Sequence, residues 1–265
     1  MIRIVVCIFI ISISIESYAE NVCEFFLSSK GTVNYYEVRM GLNGKLINNY
    51  NNHCTLSKES NERTEIHQIE EHYFKGKILG KNWITYNCNK MEVRRRKIIS
   101  YLSGEKIEDQ IIMKLPQKNK TASWKHIETP GKEVYEYNSE FASLELFNKK
   151  YDCIKVTQKI FLGKNGKLNR RMSVIYYYAR GYGLIEQYCI KNDGSKCKSI
   201  HLLVGCNKDG KEYIFDSESQ YSKNDNLLKK RNYNIGIITQ IDPAVHGLWK
   251  ALAISEDGGK TEEKM

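Results

Sequence analysis

The stretch Tyr151-Asp152-Cys153-Ile154-Lys155-Val156-Thr157-Gln158-Lys159-Ile160-Phe161-Leu162 decides the fold, together with Met172-Ser173-Val174-Ile175-Tyr176-Tyr177-Tyr178 further along. Ile154, Val156, Ile160 and Leu162 share one side of a period of two, the spacing of a half-buried strand. Asn165-Gly166 follows, a dipeptide that tolerates positive φ at both central positions of a tight turn, and Met172, Val174, Tyr176 and Tyr178 then resume the alternation. This is a hairpin. Ala179-Arg180-Gly181-Tyr182-Gly183 forms a glycine corner, and Leu184-Ile185-Glu186-Gln187-Tyr188-Cys189 begins a third strand, so a long, twisted antiparallel meander is expected. It is a scaffold without a visible chemistry.

Outward from this core, short apolar segments punctuated by glycine recur in both directions. Toward the N-terminus lie Val33 to Met40 with an Asn43-Gly44 turn, Thr64 to Phe74, Trp83 to Cys88, Met91 to Leu102 and Lys106 to Leu115. Helix competes at Glu59 to Tyr73 and at Arg94 to Tyr101, but the repeated short segments favour strands throughout. Toward the C-terminus, Ile200 to Cys206, an Asp209-Gly210 turn and Glu212 to Phe215 give a further hairpin, and Ile235 to Ile241 and Leu248 to Ile254 are the last apolar runs. The organisation expected is an antiparallel β domain over 20–190, a seam near Lys191 to Ser199, and a small C-terminal β region over 191–265.

Arg3 ahead of an apolar run from Ile4 to Ile15, with small residues at Ser17 and Ala19, has the form of a secretory signal over 1–19. The run is short for a membrane span, no later segment approaches eighteen apolar residues, and Glu20-Asn21-Val22 before Cys23 is not a lipoprotein cleavage box. A periplasmic or secreted protein without stable membrane insertion is expected. The net charge of +10 is spread along the chain, with Arg94-Arg95-Arg96-Lys97 the one compact run, so a nucleic-acid partner is not expected.

Export makes disulfides the natural use of cysteine here, since the spacings contain no Cys-x-x-Cys pair for zinc or thiol exchange. Cys189 and Cys197 flank Asn192-Asp193-Gly194 and are the first candidate pair; Cys54 with Cys88 is the second. Seven cysteines follow the signal, an odd number that leaves at least one thiol buried, free or paired between chains, the first of these as a small apolar residue being favoured.

The sequence presents no catalytic constellation. There is no Gly-x-Ser-x-Gly elbow and no phosphate-binding glycine loop, and the cysteines lack a local base. His67 and His72 lie five residues apart, about 140° around a helix, whereas a zinc-protease helix needs i and i+4. No metal, no cofactor and no enzymatic activity are expected. The eighteen tyrosines, with Tyr176-Tyr177-Tyr178 and Tyr182 foremost, suit packing on a half-buried sheet and secondarily a sugar or peptide platform.

Leu115-Pro116 followed by Trp124, then Tyr151 to Val156, then Tyr176-Tyr177-Tyr178-Ala179-Arg180-Gly181-Tyr182-Gly183-Leu184-Ile185, resembles the TapB-like group of exported bacterial β proteins over about Cys23 to Tyr188. That resemblance implies a curved antiparallel sheet akin to periplasmic lipoprotein carriers, a half barrel, and no defined activity. The tail Ile254-Ser255-Glu256-Asp257-Gly258-Gly259-Lys260-Thr261 is similar to immunity proteins that protect against type VI secretion lipase effectors, and to the Asp-box of sialidase-type propellers. It implies a structural turn built on Ser255, Asp257, Gly259 and Thr261, with Glu262 standing where the box has an aromatic residue. Together these readings lead to an exported binding protein, foremost an immunity protein that occludes a toxic effector protein in the periplasm, and secondly a carrier of lipid or another apolar envelope component.

Overall fold

The computed structural model describes residues 21–28, 32–40, 46–59, 64–74, 77–130, 132–164 and 167–219. The expected signal over 1–19, the Asn43-Gly44 and Asn165-Gly166 turns, the apolar runs at 235–241 and 248–254 and the whole Ser255 to Thr261 box lie outside these residues. What is described is a mainly β protein. One short helix, α1 (Val22–Phe26), precedes the strands β1 (Val33–Met40), β2 (Leu46–Glu59), β3 (Thr64–Phe74), β4 (Lys77–Cys88), β5 (Glu92–Ser100) and β6 (Gly104–Lys114). The second half runs through β7 (Ala122–Thr129), β8 (Glu133–Leu146), β9 (Lys149–Lys164), β10 (Lys167–Ala179), β11 (Gly183–Lys191), β12 (Lys196–Lys208) and β13 (Lys211–Ile214).

All pairings are antiparallel and the spatial order is β6-β5-β4-β3-β2-β1-β12-β11-β10-β9-β8-β7, with β13 added to β12. Each strand therefore pairs with its neighbour in sequence except at two places. β1 pairs with β12, which joins the two ends of the meander, and β6 and β7, although consecutive, form the two edges. The result is a curled sheet, open along one seam in the middle of the chain.

Both segments for which helix competed are strands, β3 and β5, because their alternate residues have an apolar interior to fill: Ile66 and Val93 are fully buried. The tyrosine run obeys the same pleat. Tyr176 and Tyr178 point into the curl, and Tyr177 packs outside against Tyr188. The corner between β10 and β11 needs its glycines: Gly181 and Gly183 have φ of 76° and 75°, and a Cβ on Gly183 would lie 2.9 Å from the Phe26 carbonyl oxygen.

The seam expected near Lys191 to Ser199 is not a domain boundary. β12 lies between β1 and β11 inside the continuous sheet, and its apolar residues Ile200, Leu202 and Val204 are buried in the cluster on its outer face. Within the described residues the small C-terminal β piece is β13, whose following Phe215 and Asp216 fold back on Val204.

Two apolar clusters result. One, on the outer side of β1, β11 and β12, gathers Tyr35, Cys153, Ile185, Leu202 and Val204 under Tyr182 and Phe215. It also holds a buried ionic group, in which Arg39 bonds Glu37 and, at 2.5 Å, Asp216. The other lies inside one end of the curl, where Ile66, Tyr86, Val93, Met113, Ile154 and Tyr178 surround α1.

Candidate functional site

α1 acts as a plug. Asn21 caps it by accepting from the Cys23 N–H at 3.0 Å, and Val22 and Phe25 are almost wholly buried. Its two flanks hold opposite halves of the sheet. Cys23 forms a disulfide with Cys88 at the end of β4, and the Val22 N–H donates to Lys90 O at 3.1 Å. On the other flank the Gly181 N–H donates to Glu24 O at 2.7 Å, Arg180 pairs with Glu24, and its guanidinium sits 4.6 Å from the Phe25 ring centre. The curl is thereby pinned shut at this end.

Beyond the plug lies a lumen of about 350 Å³, within the size range of small-molecule sites. Alternation of the strands delivers its walls. β8, β9 and β10 supply Tyr135, Tyr137, Gln158, Tyr176 and Tyr178; β5 and β6 supply Arg95, Lys106 and Gln110; β1, β3 and β11 supply Asn34, Gln68, Glu70 and Gln187. Apolar side chains cluster around α1, with Asn34 beside the Tyr182 corner there, and Lys106 and Glu128 lie toward the opposite end.

A hydrogen-bond chain crosses from one half of the sheet to the other. Arg95 Nη2 donates to Gln110 Oε1 at 2.6 Å, Gln110 Nε2 donates to the Tyr137 hydroxyl at 2.6 Å, Gln158 Nε2 donates to the same hydroxyl at 2.9 Å, and the Tyr176 hydroxyl donates to Gln158 Oε1 at 2.9 Å. Donors at both outer ends fix both amide orientations. Burial pushes the Tyr176 hydroxyl up to about 12 and the Tyr137 and Tyr178 hydroxyls well above the ordinary tyrosine value, so these phenols stay neutral.

The same chain spans the β6/β7 seam, helped by side chains in place of a ladder. Trp124 on β7 stacks on Tyr137 with ring centres 5.1 Å apart and donates its indole N–H to Ile111 O on β6 at 2.8 Å. The Ser139 hydroxyl donates to Lys114 O at 2.7 Å, and Lys106 pairs with Glu128 toward the far end.

The lumen's cations are already engaged. Lys106 is bonded to Glu128, which raises its pKa, and lies 3.6 Å from Glu108. Burial weighs against the charge of Arg95, but Tyr86, Glu108 and Tyr137 more than offset this and raise its pKa. Other groups are uncommitted. Asn34 is 4 % exposed, its Nδ2 donates to Tyr182 O at 2.9 Å, and its Oδ1 has no donor among the described residues. The side chains of Gln68 and Gln187 also lack bonding partners among the described residues.

The residues singled out in the sequence fall largely elsewhere. Cys189 and Cys197 are joined by a disulfide where β11 and β12 end, away from the lumen. Cys88 bonds Cys23, not Cys54: Cys54 pairs with Gln68 on β3, and Gln68 with Ile84 on β4, so Cys54 and Cys88 sit two strands and four positions apart. Two strand spacings, about 9.5 Å, exceed the reach of a disulfide. Cys153 and Cys206 are buried thiols, and burial pushes Cys153 up to about 12. His67 and His72 lie on β3 beside Glu65 and Glu70, and no cluster that could hold a metal occurs among the described residues. Tyr182 packs outside under Lys149, whose ammonium is 4.8 Å from its ring centre. The four glutamines that line the lumen gave no signal in the sequence, because on exposed and lumen-facing strands alike they read as the polar side of a period of two.

No protein-family model and no curated protein matches the chain. Among solved structures it is similar to an exported protein with a YmcC-like fold from Bacteroides fragilis, at 12% identity over 69% of this chain and 99% of that one, with a TM-score of 0.46. It is also similar to a lipoprotein from Parabacteroides distasonis, at 15% identity over 67% of this chain and 95% of that one, with a TM-score of 0.45.

Proposed function

We propose that this chain is an exported, non-enzymatic binding protein that holds a small molecule inside its curled sheet. The observation that carries the reading is the lumen itself, about 350 Å³, closed at one end by α1 and lined by polar groups, among them the buried Asn34 Oδ1, which has no partner among the described residues. Two disulfides support an oxidising destination, where such bonds persist. Binding without reaction is supported by the state of the reactive groups on the page: the Cys153 thiol and the lumen tyrosines are held neutral by burial. Native mass spectrometry of protein purified from its own host is expected to show a bound small molecule that leaves on denaturation. Repeatedly empty spectra refute the reading.

Occlusion of a toxic effector protein has a different observation in its favour. The edges β6 and β7 expose Ile107 and Ile127 at 78% and 54%, beside Leu102 at 80%, and edge strands with apolar side chains are where a partner chain adds. This reading expects an effector to co-purify with the protein and an Ile107→Lys, Ile127→Lys variant to lose it. Retention by that variant counts against docking at the seam.

A further inference from the structure

We infer that the lumen is a site for a short neutral saccharide, an inference that rests on the binding reading above and names its ligand class. The argument is one of charge, then of surface, then of unspent hydrogen bonds.

An anionic ligand needs an unpaired cation, and among the described residues the two cations of the wall are taken: Lys106 by Glu128, and Arg95 by Glu108 and Gln110. A cationic ligand meets the same obstacle in reverse. Glu128 is bonded to Lys106 and His126, and Glu70 lies 3.6 Å from His72 Nε2 and accepts from Asn82 at 3.3 Å. The tyrosine hydroxyls add no charge, since burial holds them protonated. The wall is rich in polar groups and close to electrically balanced.

A fatty acyl chain fits poorly for another reason. Polar groups that lose water must find a partner, and an alkyl chain offers none, so burying Asn34 Oδ1 and the amides of Gln68 and Gln187 against it leaves them stranded. These groups come from β1, β3 and β11. β8 and β10 present the rings of Tyr135, Tyr137, Tyr176 and Tyr178, with Tyr176 and Tyr178 stacked at 6.2 Å between centres and Gln187 in register with Tyr176 on the neighbouring strand. Amides that both donate and accept, interleaved with aromatic surfaces around the lumen, complement a pyranose. Its hydroxyls also donate and accept, and its faces carry C–H groups that pack on rings.

The experiment is calorimetric titration of the full folded chain with glucose, galactose, N-acetylglucosamine and their β-linked disaccharides, alongside myristate. Saturable heat is expected with at least one saccharide. Gln68→Ala and Gln187→Ala are expected to weaken that saccharide roughly two- to tenfold each, the worth of one hydrogen bond, without moving the unfolding midpoint. Saccharide binding that both variants leave unchanged overturns the site. If no saccharide binds at about 1 mM while myristate does, or native spectra show an acyl adduct, the saccharide class falls and the binding protein stands. If saccharides and myristate both fail and the native spectra are empty, both fall together.

Discussion

Tyr137→Phe is the most informative single change, because one hydroxyl oxygen accepts from Gln110 and Gln158 and so links the two halves of the sheet across the seam. The ring is 4 % exposed and its stack on Trp124 survives the substitution, so packing is conserved and the loss is one of hydrogen bonding. Gln110 is buried at 5 % exposure and would keep an N–H with no acceptor; Gln158, half-buried, can recover part of its loss through water. At roughly 1–3 kcal/mol for a stranded buried donor, the sum is about 2–4 kcal/mol. Urea unfolding followed by tryptophan fluorescence gives the total, and hydrogen exchange gives its location. Exchange should accelerate first in β6 and β7, where side chains replace the ladder. Tyr135→Phe, whose hydroxyl bonds only to Glu133 on the same strand among the described residues, should cost less than about 1 kcal/mol. A Tyr137→Phe variant within about 0.5 kcal/mol of the parent, or one whose exchange rises evenly around the sheet, refutes the bridging role.

Replacing Cys23 and Cys88 together by serine opens a crosslink with a sequence separation of 65, worth about 4 kcal/mol in loop-closure entropy, and a loss below about 1 kcal/mol by urea unfolding would contradict the plug's role. Gly183→Ala should destabilise by more than about 1 kcal/mol in the same assay, since it adds a Cβ 2.9 Å from Phe26 O at a φ of 75°; Gly194→Ala, open to solvent at a φ of 84°, tests the conformational part alone. Burial lowers the pKa of His201 below 6.5 despite the opposing charge of Glu70, so the folded state binds fewer protons than the unfolded one there. Stability should therefore fall as pH drops below 6.5 toward the lowered value, and His201→Gln should flatten that part of the urea-midpoint profile; an unchanged slope would remove His201 as its source.

The pleat was legible wherever burial is one-sided. Ile154 and Val156 go in, Tyr176 and Tyr178 go in, Tyr177 goes out, and Asp209-Gly210 turns as its residue types require, with φ of 52° and 75°. The turn between β8 and β9 was not legible, because Phe147 and Asn148 take φ of 52° and 61° without a glycine; the ladder pair Leu146 and Lys149 forces the tight connection. Strand order also escaped the sequence. Local patterning says that β12 is a strand, but its insertion between β1 and β11 depends on contacts across most of the chain, as does the choice of Cys23 over Cys54 for Cys88. The lumen was hidden for a related reason: Gln68, Gln158 and Gln187 face inward only because the sheet curls, and no residue near them in sequence reports the curl.

Curl and seam are consequences of one another. A twelve-strand meander whose first and last strands pair has its free edges in the middle, at β6 and β7, and twist alone would bring those edges together into a closed barrel. Across the seam a side chain stands in for the ladder: the Trp124 indole N–H donates to the Ile111 carbonyl of β6. Contacts such as Lys106 with Glu128 and Ile111 with Trp124 nonetheless stand in near-antiparallel register, each pair of positions summing to almost the same value. Since α1 pins both halves at one end by a disulfide and backbone hydrogen bonds, any change in the seam's width is taken up mainly at the other end, beside the Lys106 and Glu128 pair. Lys106 and Glu128 both line the lumen, so the pairing that spans the seam at that end is also part of the lumen wall.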